Sequence, residues 1–441
     1  MKKKGVRLLM LACSVFLLLG AAACTQTKDE ARVYYLNFKP EVASVWQEIA
    51  EVYEEETGVE VKVITAASGT YEQVLQSEIA KRDAPTLFQM SGPNAVERWG
   101  QFCLDLSDTD LYSWLIDKSM AVTAGNSVYG IPYVVEGYGI IYNLEIMNQY
   151  FALSDRATTV KSMEEINNFA TLKAVVEDMT LHKKELGIDG VFASTSFAAG
   201  EDWRWQTHLL NLPVYYEFNE KGITDTDKLE LTYADNYKNI LELYANNSCT
   251  EKTDLKLKTV NQSMEEFALG KVAMVQNGNW GWSQIKSVQG NTVKENQVGF
   301  LPIYTGMAGE ETQGLCIGTE SYFCINSWAS EEEQKVTLDF VEWLFSSETG
   351  KDYVTNKLGF ISPFNTFEED EMPSDPLAAQ VVDFMSNTDY VSVSWNFTAF
   401  PGQIFKDEVG QLLLDYLEEE KDWKQVVNAI KAAWVREKSG K

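Results

Sequence analysis

The residues best placed for chemistry follow the apolar run Val272–Gln276, in the turn Asn277-Gly278-Asn279-Trp280. Asparagine and glycine after such a run read as a turn at a strand end, where α/β sheets meet their ligands. Trp280 would offer a flat apolar face there and Asn277 polar atoms, although a tryptophan so placed also suits a core; Trp282 reads as packing. A second aromatic pair, Trp203 and Trp205, stands in GEDWRWQ beside Glu201, Asp202 and Arg204. Two tryptophans among charges are not expected to be both core, and Trp203 is the first candidate to reach a cleft. Polar and small residues end three apolar runs near the N-terminus: Asn37 and Lys39, then Ser68 and Tyr71, then Gln89 and Ser91. As a set they mark the strand ends that line one side of an α/β cleft. Trp395 and Phe405 are further aromatic candidates, balanced against packing.

Catalytic groupings are missing. The two histidines, His182 and His208, lie far apart, and no GxSxG accompanies them. Each reads as a surface or packing residue, and a zinc site would need cysteine or carboxylate help that the spacing does not show. Asp105, Asp108 and Asp110 read as a solvated loop. Glu201 and Asp202 are adjacent and would point apart in a strand. The expectation is binding without chemistry, no cofactor and no metal. Cys103, Cys249, Cys316 and Cys324 show no CxxC spacing. They allow three pairings. Cys316 and Cys324 would face each other across a hairpin around Gly318–Ser321, or all four are small buried residues.

The N-terminus says where the chain works. Lys2, Lys3, Lys4 and Arg7 precede the apolar run Leu8–Leu19, then Gly20, Ala21, Ala22, Ala23 and Cys24. This order is that of an export signal, and the cysteine after small residues resembles a bacterial lipobox, although Ala21 replaces the usual leucine. The resemblance implies a signal over 1–23, lipid on Cys24, a tether over 24–31 and a place on the outer face of the bacterial cell membrane. The whole chain carries 37 basic and 65 acidic residues. The leader holds four bases and no acids, so the mature chain is more acidic still. Such a surface repels nucleic acid and anionic lipid. No later stretch reaches 18 apolar residues.

The elements that would position these residues alternate. Arg32–Phe38 reads as a strand. Pro40 opens a helix whose apolar face is Val42, Val45, Trp46, Ile49, Val52 and Tyr53, and Gly58 stops it. Val59–Val63 alternates as a strand, which completes the strand–helix–strand unit of a parallel α/β sheet. The pattern repeats through Tyr71–Lys81, Thr86–Met90 and Ala95–Phe102. S-x-x-E pairs at Ser162, Ser263 and Ser330 mark helix starts. Leu377–Met385, Ile404–Leu417 and Trp423–Val435 make the C-terminal part helical. No linker separates two beads, which fits two lobes that share the chain more than once.

Five separated segments carry a family resemblance: VYGIPYVVEGYGIIYN (Val128–Asn143), GKVAMVQNGNWGW (Gly270–Trp282), VGFLPIY (Val298–Tyr304), KLGFISPF (Lys357–Phe364) and WNFTAFPGQIF (Trp395–Phe405). Their order resembles that of family 1 extracellular solute-binding proteins, the maltose-binding-protein-like partners of ABC sugar importers. The resemblance implies an α/β, two-lobe periplasmic-binding-protein-like fold of type II, with a hinge of two or three crossings. Lobe one would be 32–136 plus 298–345, and lobe two 137–297 plus 346–441. It also implies a monomer that closes on a sugar and delivers it to permease subunits. Trp280 would be a stacking platform, and Glu136, at the crossover, a sugar-hydroxyl acceptor or a hinge salt bridge. Sugars stack their C–H faces on rings and need donors and acceptors around the rim, which 12 Trp, 20 Tyr and 21 Phe can supply. The rivals are the same fold with a polyamine or peptide ligand, and a surface glycosidase.

Overall fold

The computed structural model describes residues 31–440 apart from 68 and 369. The signal, Cys24, the tether to residue 30 and Ser68 therefore lie outside the described residues. Strands β1 (Val33–Asn37), β2 (Val61–Thr65), β3 (Leu87–Met90), β4 (Val122–Ala124) and β5 (Ser127–Pro132) come first. Then follow β6 (Glu136–Asn143), β7 (Gly190–Phe192), β8 (Val272–Gly278), β9 (Val298–Leu301), β10 (Gln313–Gly318), β11 (Tyr322–Ile325) and β12 (Val391–Ser394). They form two sheets. The first runs β2-β1-β3-β11-β5-β4; the second runs β12-β10-β6-β8-β7, with β9 on β6. Each sheet is the floor of one lobe.

The first lobe opens as the periodicity predicts. All five residues of β1 are buried, as parallel strands covered on both faces must be. Helix Ala43–Thr57 lays Trp46, Ile49 and Tyr53 on that sheet and stops at Gly58, in the left-handed conformation at φ 76°. In the second lobe β6 is antiparallel to β8, β9 and β10. Helices Gln403–Leu417 and Trp423–Lys438 complete its core through Val409, Leu413, Val426, Ile430 and Trp434. Among the described residues no helix is long and apolar enough to cross a membrane.

The chain passes between the sheets three times: from Pro132 to Glu136, from Gly318 to Tyr322, and between Phe364 and Pro376. Val135 donates to the Ile361 carbonyl at 2.8 Å, which ties the first passage to the segment leading into the third. The lobe boundaries shift accordingly. Val298–Leu301, assigned from sequence to lobe one, pairs with β6 in the second sheet. The return to the first sheet begins at Tyr322, and Val354, Leu358, Phe360 and Phe364 join Phe345 in the first lobe's core. An apolar run declares itself a strand but not the sheet it joins.

The hairpin around Gly318–Ser321 is one of these crossings. Cys316 lies in β10 and Cys324 in β11, in different sheets, and all four described cysteines are free. Cys324 Sγ donates to the Tyr322 carbonyl at 3.7 Å and Cys103 Sγ to the Trp99 carbonyl at 3.4 Å. Of the three S-x-x-E signals, Ser330–Glu333 is a full capping box. Ser162 precedes only a short 3-10 turn. Ser263 lies inside helix Val260–Ala268, which Thr259 and Gln262 cap instead.

Candidate functional site between the lobes

Lys39 is aimed by the turn that ends β1. The Asn37 amide donates to the Lys39 carbonyl at 2.8 Å and to Thr65 Oγ1 at 3.1 Å, and its oxygen accepts the Lys39 N–H at 3.0 Å. The amine then reaches the first residue of β6: Lys39 Nζ lies 2.8 and 2.9 Å from the two carboxylate oxygens of Glu136. Both side chains are buried, and Glu41 stands 3.9 Å away. Burial drives the Lys39 amine toward neutrality, but Glu136 and Glu41 outweigh it and its pKa ends above the ordinary value. Burial raises the Glu41 carboxyl, and Lys39 only partly offsets that. The pair joins the lobes at the first crossing.

Trp280 follows β8 because Asn279 buckles that strand's end to β6, its N–H on the Gly137 carbonyl and its side-chain oxygen on the Gly137 N–H, both at 2.9 Å. The indole lies over Gly278, where a Cβ would come within 2.1 Å of the ring. It is half-buried, 5.8 Å from Lys39 Nζ and 6.2 Å from the Trp203 ring. Trp203 caps a π-helical turn, Arg204–Leu209, and His208 lies within it. Buried Arg204 pins that turn to the Gln276 carbonyl of β8 at 2.9 Å and to the hydroxyls of Ser196 and Ser263. His208 stacks on Tyr138 at 4.2 Å and meets the edges of Trp203 and Trp280. Trp395 closes the group 6.0 Å from His208. It too is seated on a glycine, since a Cβ on Gly318 would fall 2.6 Å from its ring.

The result is an aromatic cluster of Trp203, His208, Trp280, Trp395 and Phe397 beside a buried amine and two carboxylates. His208 Nδ1 and Trp395 Nε1 are buried in it without a hydrogen-bond partner, a costly state for ring nitrogens unless a ligand or water takes them. Burial first, then the Lys406, Arg204 and Lys39 charges, pull the His208 pKa well below its usual value, so the ring is neutral. A narrow crevice of about 10 Å³, room for about one water, lies beside Glu41, Glu136, Asn279, Trp280, Ser283 and Asp375. The rims touch: Gly69 packs on the Gly200 backbone, and the Asn94 amide reaches the Phe400 carbonyl at 3.3 Å.

The structure thus brings together Lys39, Glu136, Trp203, Trp280 and Trp395. It places other sequence candidates in supporting roles. Trp205 is core, its N–H on the Ser196 carbonyl at 2.9 Å. Phe405 is wholly buried against Phe400 and Trp434. Asn277 is spent on Gln284 and on the Gly278 N–H. Tyr71 accepts the Gln89 N–H at 2.7 Å, and Gln89 bonds the Phe38 N–H and Tyr133. These strand-end groups satisfy loop backbone before they can face a ligand. Ser91 is exposed at the end of β3. His208, Phe397 and Glu41 were not singled out from sequence. Trp203 and His208 are five apart, a spacing that meets on one face only when a turn is widened to π geometry.

Residues 48–380 match the family described as bacterial extracellular solute-binding protein. The chain belongs to that family. No curated protein matches it by sequence. Among solved structures of this architecture, a chitin oligosaccharide binding protein superposes with a TM-score of 0.71 at 14% identity, over 93% of this chain and 99% of that one. The GacH receptor of Streptomyces glaucescens, solved unliganded and with acarbose, gives 0.68 at 17% identity over 93% and 98%. Maltose-bound T. maritima MalE3 gives 0.65 at 15% over 91% and 98%. At such identities the likeness is one of fold.

One consequence for this solute-binding protein concerns Asp202, beside Trp203. Burial, reinforced by Asp407 and Glu201, pushes its carboxyl up to about 7. The folded pKa exceeds the unfolded one, so this contribution is full below pH ~4 and is lost as pH rises through about 7. Stability, and with it melting temperature, should fall between pH 5 and pH 8, by about 1.4 kcal/mol per pH unit at most. Asp202→Asn should flatten that slope and melt higher at pH 8. An identical pH profile in the variant would show that the carboxyl ionises freely in the folded state.

Proposed function

We propose that this protein captures a carbohydrate between its lobes, leaves it chemically unchanged, and passes it to an ABC importer as a monomer held to the outer membrane surface by lipid on Cys24. The observation that carries the reading is the cluster of Trp203, His208, Trp280 and Trp395 beside the Lys39–Glu136 pair. Rings stack on sugar C–H faces, and the amine, carboxylates and unpaired ring nitrogens suit hydroxyls. The three compared proteins are named for, or solved with, chitin oligosaccharide, acarbose and maltose, and an extracellular family fits capture outside the cell.

Closure accompanies binding in this proposal, because a ligand touching both lobes favours the state in which they meet. The deciding experiment is a thermal-shift screen against mono- and oligosaccharides, since a ligand of the folded state raises stability by mass action. At 100 times its Kd a sugar should add about 2.7 kcal/mol. A sugar that binds should also reduce the radius of gyration in solution scattering and be recovered uncut. No shift with any sugar, or recovery of shortened sugar, would overturn the reading. Cys24→Ala should be released from the membrane fraction or left uncleaved; its retention there with a normally cut N-terminus would defeat the anchor.

A further inference from the structure

The second histidine lies outside the cleft. His182 is on the last turns of helix Phe169–Leu186, one turn after Asp178 and three residues before Glu185. Its Nδ1 lies 2.9 Å from the Asp178 carbonyl and 3.5 Å from Asp178 Oδ1. Asp178 is only 4% exposed. Its Oδ2 accepts from Tyr150 at 2.7 Å and from the Ala157 N–H at 3.1 Å, so the carboxylate is fixed. Its Oδ1 is buried with no hydrogen-bond partner. In the neutral ring the Asp178 carbonyl holds the proton on Nδ1, which leaves Nε2 with a free lone pair. Nε2 points toward Asp155, whose Oδ1 is 3.6 Å away. One ligand atom each from Asp155, His182 and Glu185 lie within 4.8 Å of one another.

We propose that Asp155, His182 and Glu185 form a binding site for one divalent transition-metal ion, with Asp178 as the positioning residue behind the imidazole. A backbone carbonyl held at the far nitrogen of a metal-binding histidine fixes its tautomer and raises its basicity, and the Asp178 carbonyl, 2.9 Å from Nδ1, stands there. The histidine and glutamate three apart share one helix face, and the loop after helix Leu144–Ala152 brings Asp155 to it. One imidazole and two carboxylates suit zinc or a neighbouring first-row ion, whereas calcium and magnesium prefer oxygen alone. Asp155 and Glu185 are exposed, so they can close on an ion without moving the backbone. The ion would staple the loop to the helix. The sequence spacing concealed this, because Asp155 stands 27 residues before His182 and only the fold unites them.

The test uses tag-free protein stripped with EDTA and titrated with Co²⁺, then Zn²⁺. One equivalent of Co²⁺ should give visible d–d absorption that Zn²⁺ displaces, and Zn²⁺ should raise the melting temperature reversibly. His182→Ala and Asp155→Asn should each abolish the Co²⁺ spectrum while far-UV circular dichroism stays unchanged. Asp178→Asn, which keeps the carbonyl and removes the charge 3.5 Å from Nδ1, should weaken binding less than either ligand variant does. If wild type takes up no stoichiometric Co²⁺, His182 is only an ion-pair partner of Asp155 and the proposal fails. It fails equally if His182→Ala or Asp155→Asn binds as wild type does.

Discussion

Lys39→Met is expected to cost about 3–5 kcal/mol of folding stability, the usual penalty for stripping a buried ion pair of one partner. The cost comes from Glu136, which would be left buried at the first crossing with its nearest cation gone. Glu41 adds to it, since Lys39 is the charge that offsets burial there too. Glu136→Leu should be similarly damaging from the other side. The double variant Lys39→Met/Glu136→Leu should recover most of the loss, because two apolar side chains of similar size carry no stranded charge. Denaturant unfolding of the four proteins measures this, with the coupling energy as the readout. Single variants costing under ~1 kcal/mol would show that water reaches the pair. A double variant as unstable as the sum of the singles would show that the two residues act separately.

The same pair marks what sequence could and could not reveal. Lys39 and Glu136 were each legible as site candidates, one after a strand end and one at a crossover. Their partnership across 97 residues was not, because it needs two sheets placed face to face. The opening strand–helix–strand unit was legible because Val33–Asn37 and the face Trp46, Ile49, Tyr53 obey fixed periods. The Ser330–Glu333 box was legible for the same local reason, whereas Ser263–Glu266 matched the pattern for another purpose. Ser263 Oγ donates to the Ser194 carbonyl at 2.6 Å, and Glu266 accepts the Ser194 N–H at 2.8 Å, so both tie the loop after β7 to the helix. Strand-end amides misled in a similar way. Asn37 and Asn277 have the chemistry of ligand contacts, but the same chemistry closes turns, and burial decides between the two uses.

Trp280→Ala is expected to lower carbohydrate affinity by about 2–4 kcal/mol, roughly 30- to 1,000-fold, as removal of a central aromatic anchor does. Stability should change less, because the indole is half-buried while neighbouring Trp282 is 3% exposed and packs into the core. Gly278→Ala separates the ring's position from its presence. The added methyl would meet the indole at 2.1 Å, so the ring must leave its seat while every ring atom remains. Binding should weaken at least about tenfold, since one displaced anchor forfeits at least ~1.4 kcal/mol. Calorimetry with the sugar identified by thermal shift measures both variants. If Trp280→Ala binds normally but melts far lower, the indole is a packing residue and the platform is Trp203 or Trp395. If Gly278→Ala binds normally while Trp280→Ala does not, the ring acts by bulk rather than by its placement over the glycine. Loss in both, with melting temperatures near wild type, means the sequence uses Gly278 to hold an indole face open to the ligand.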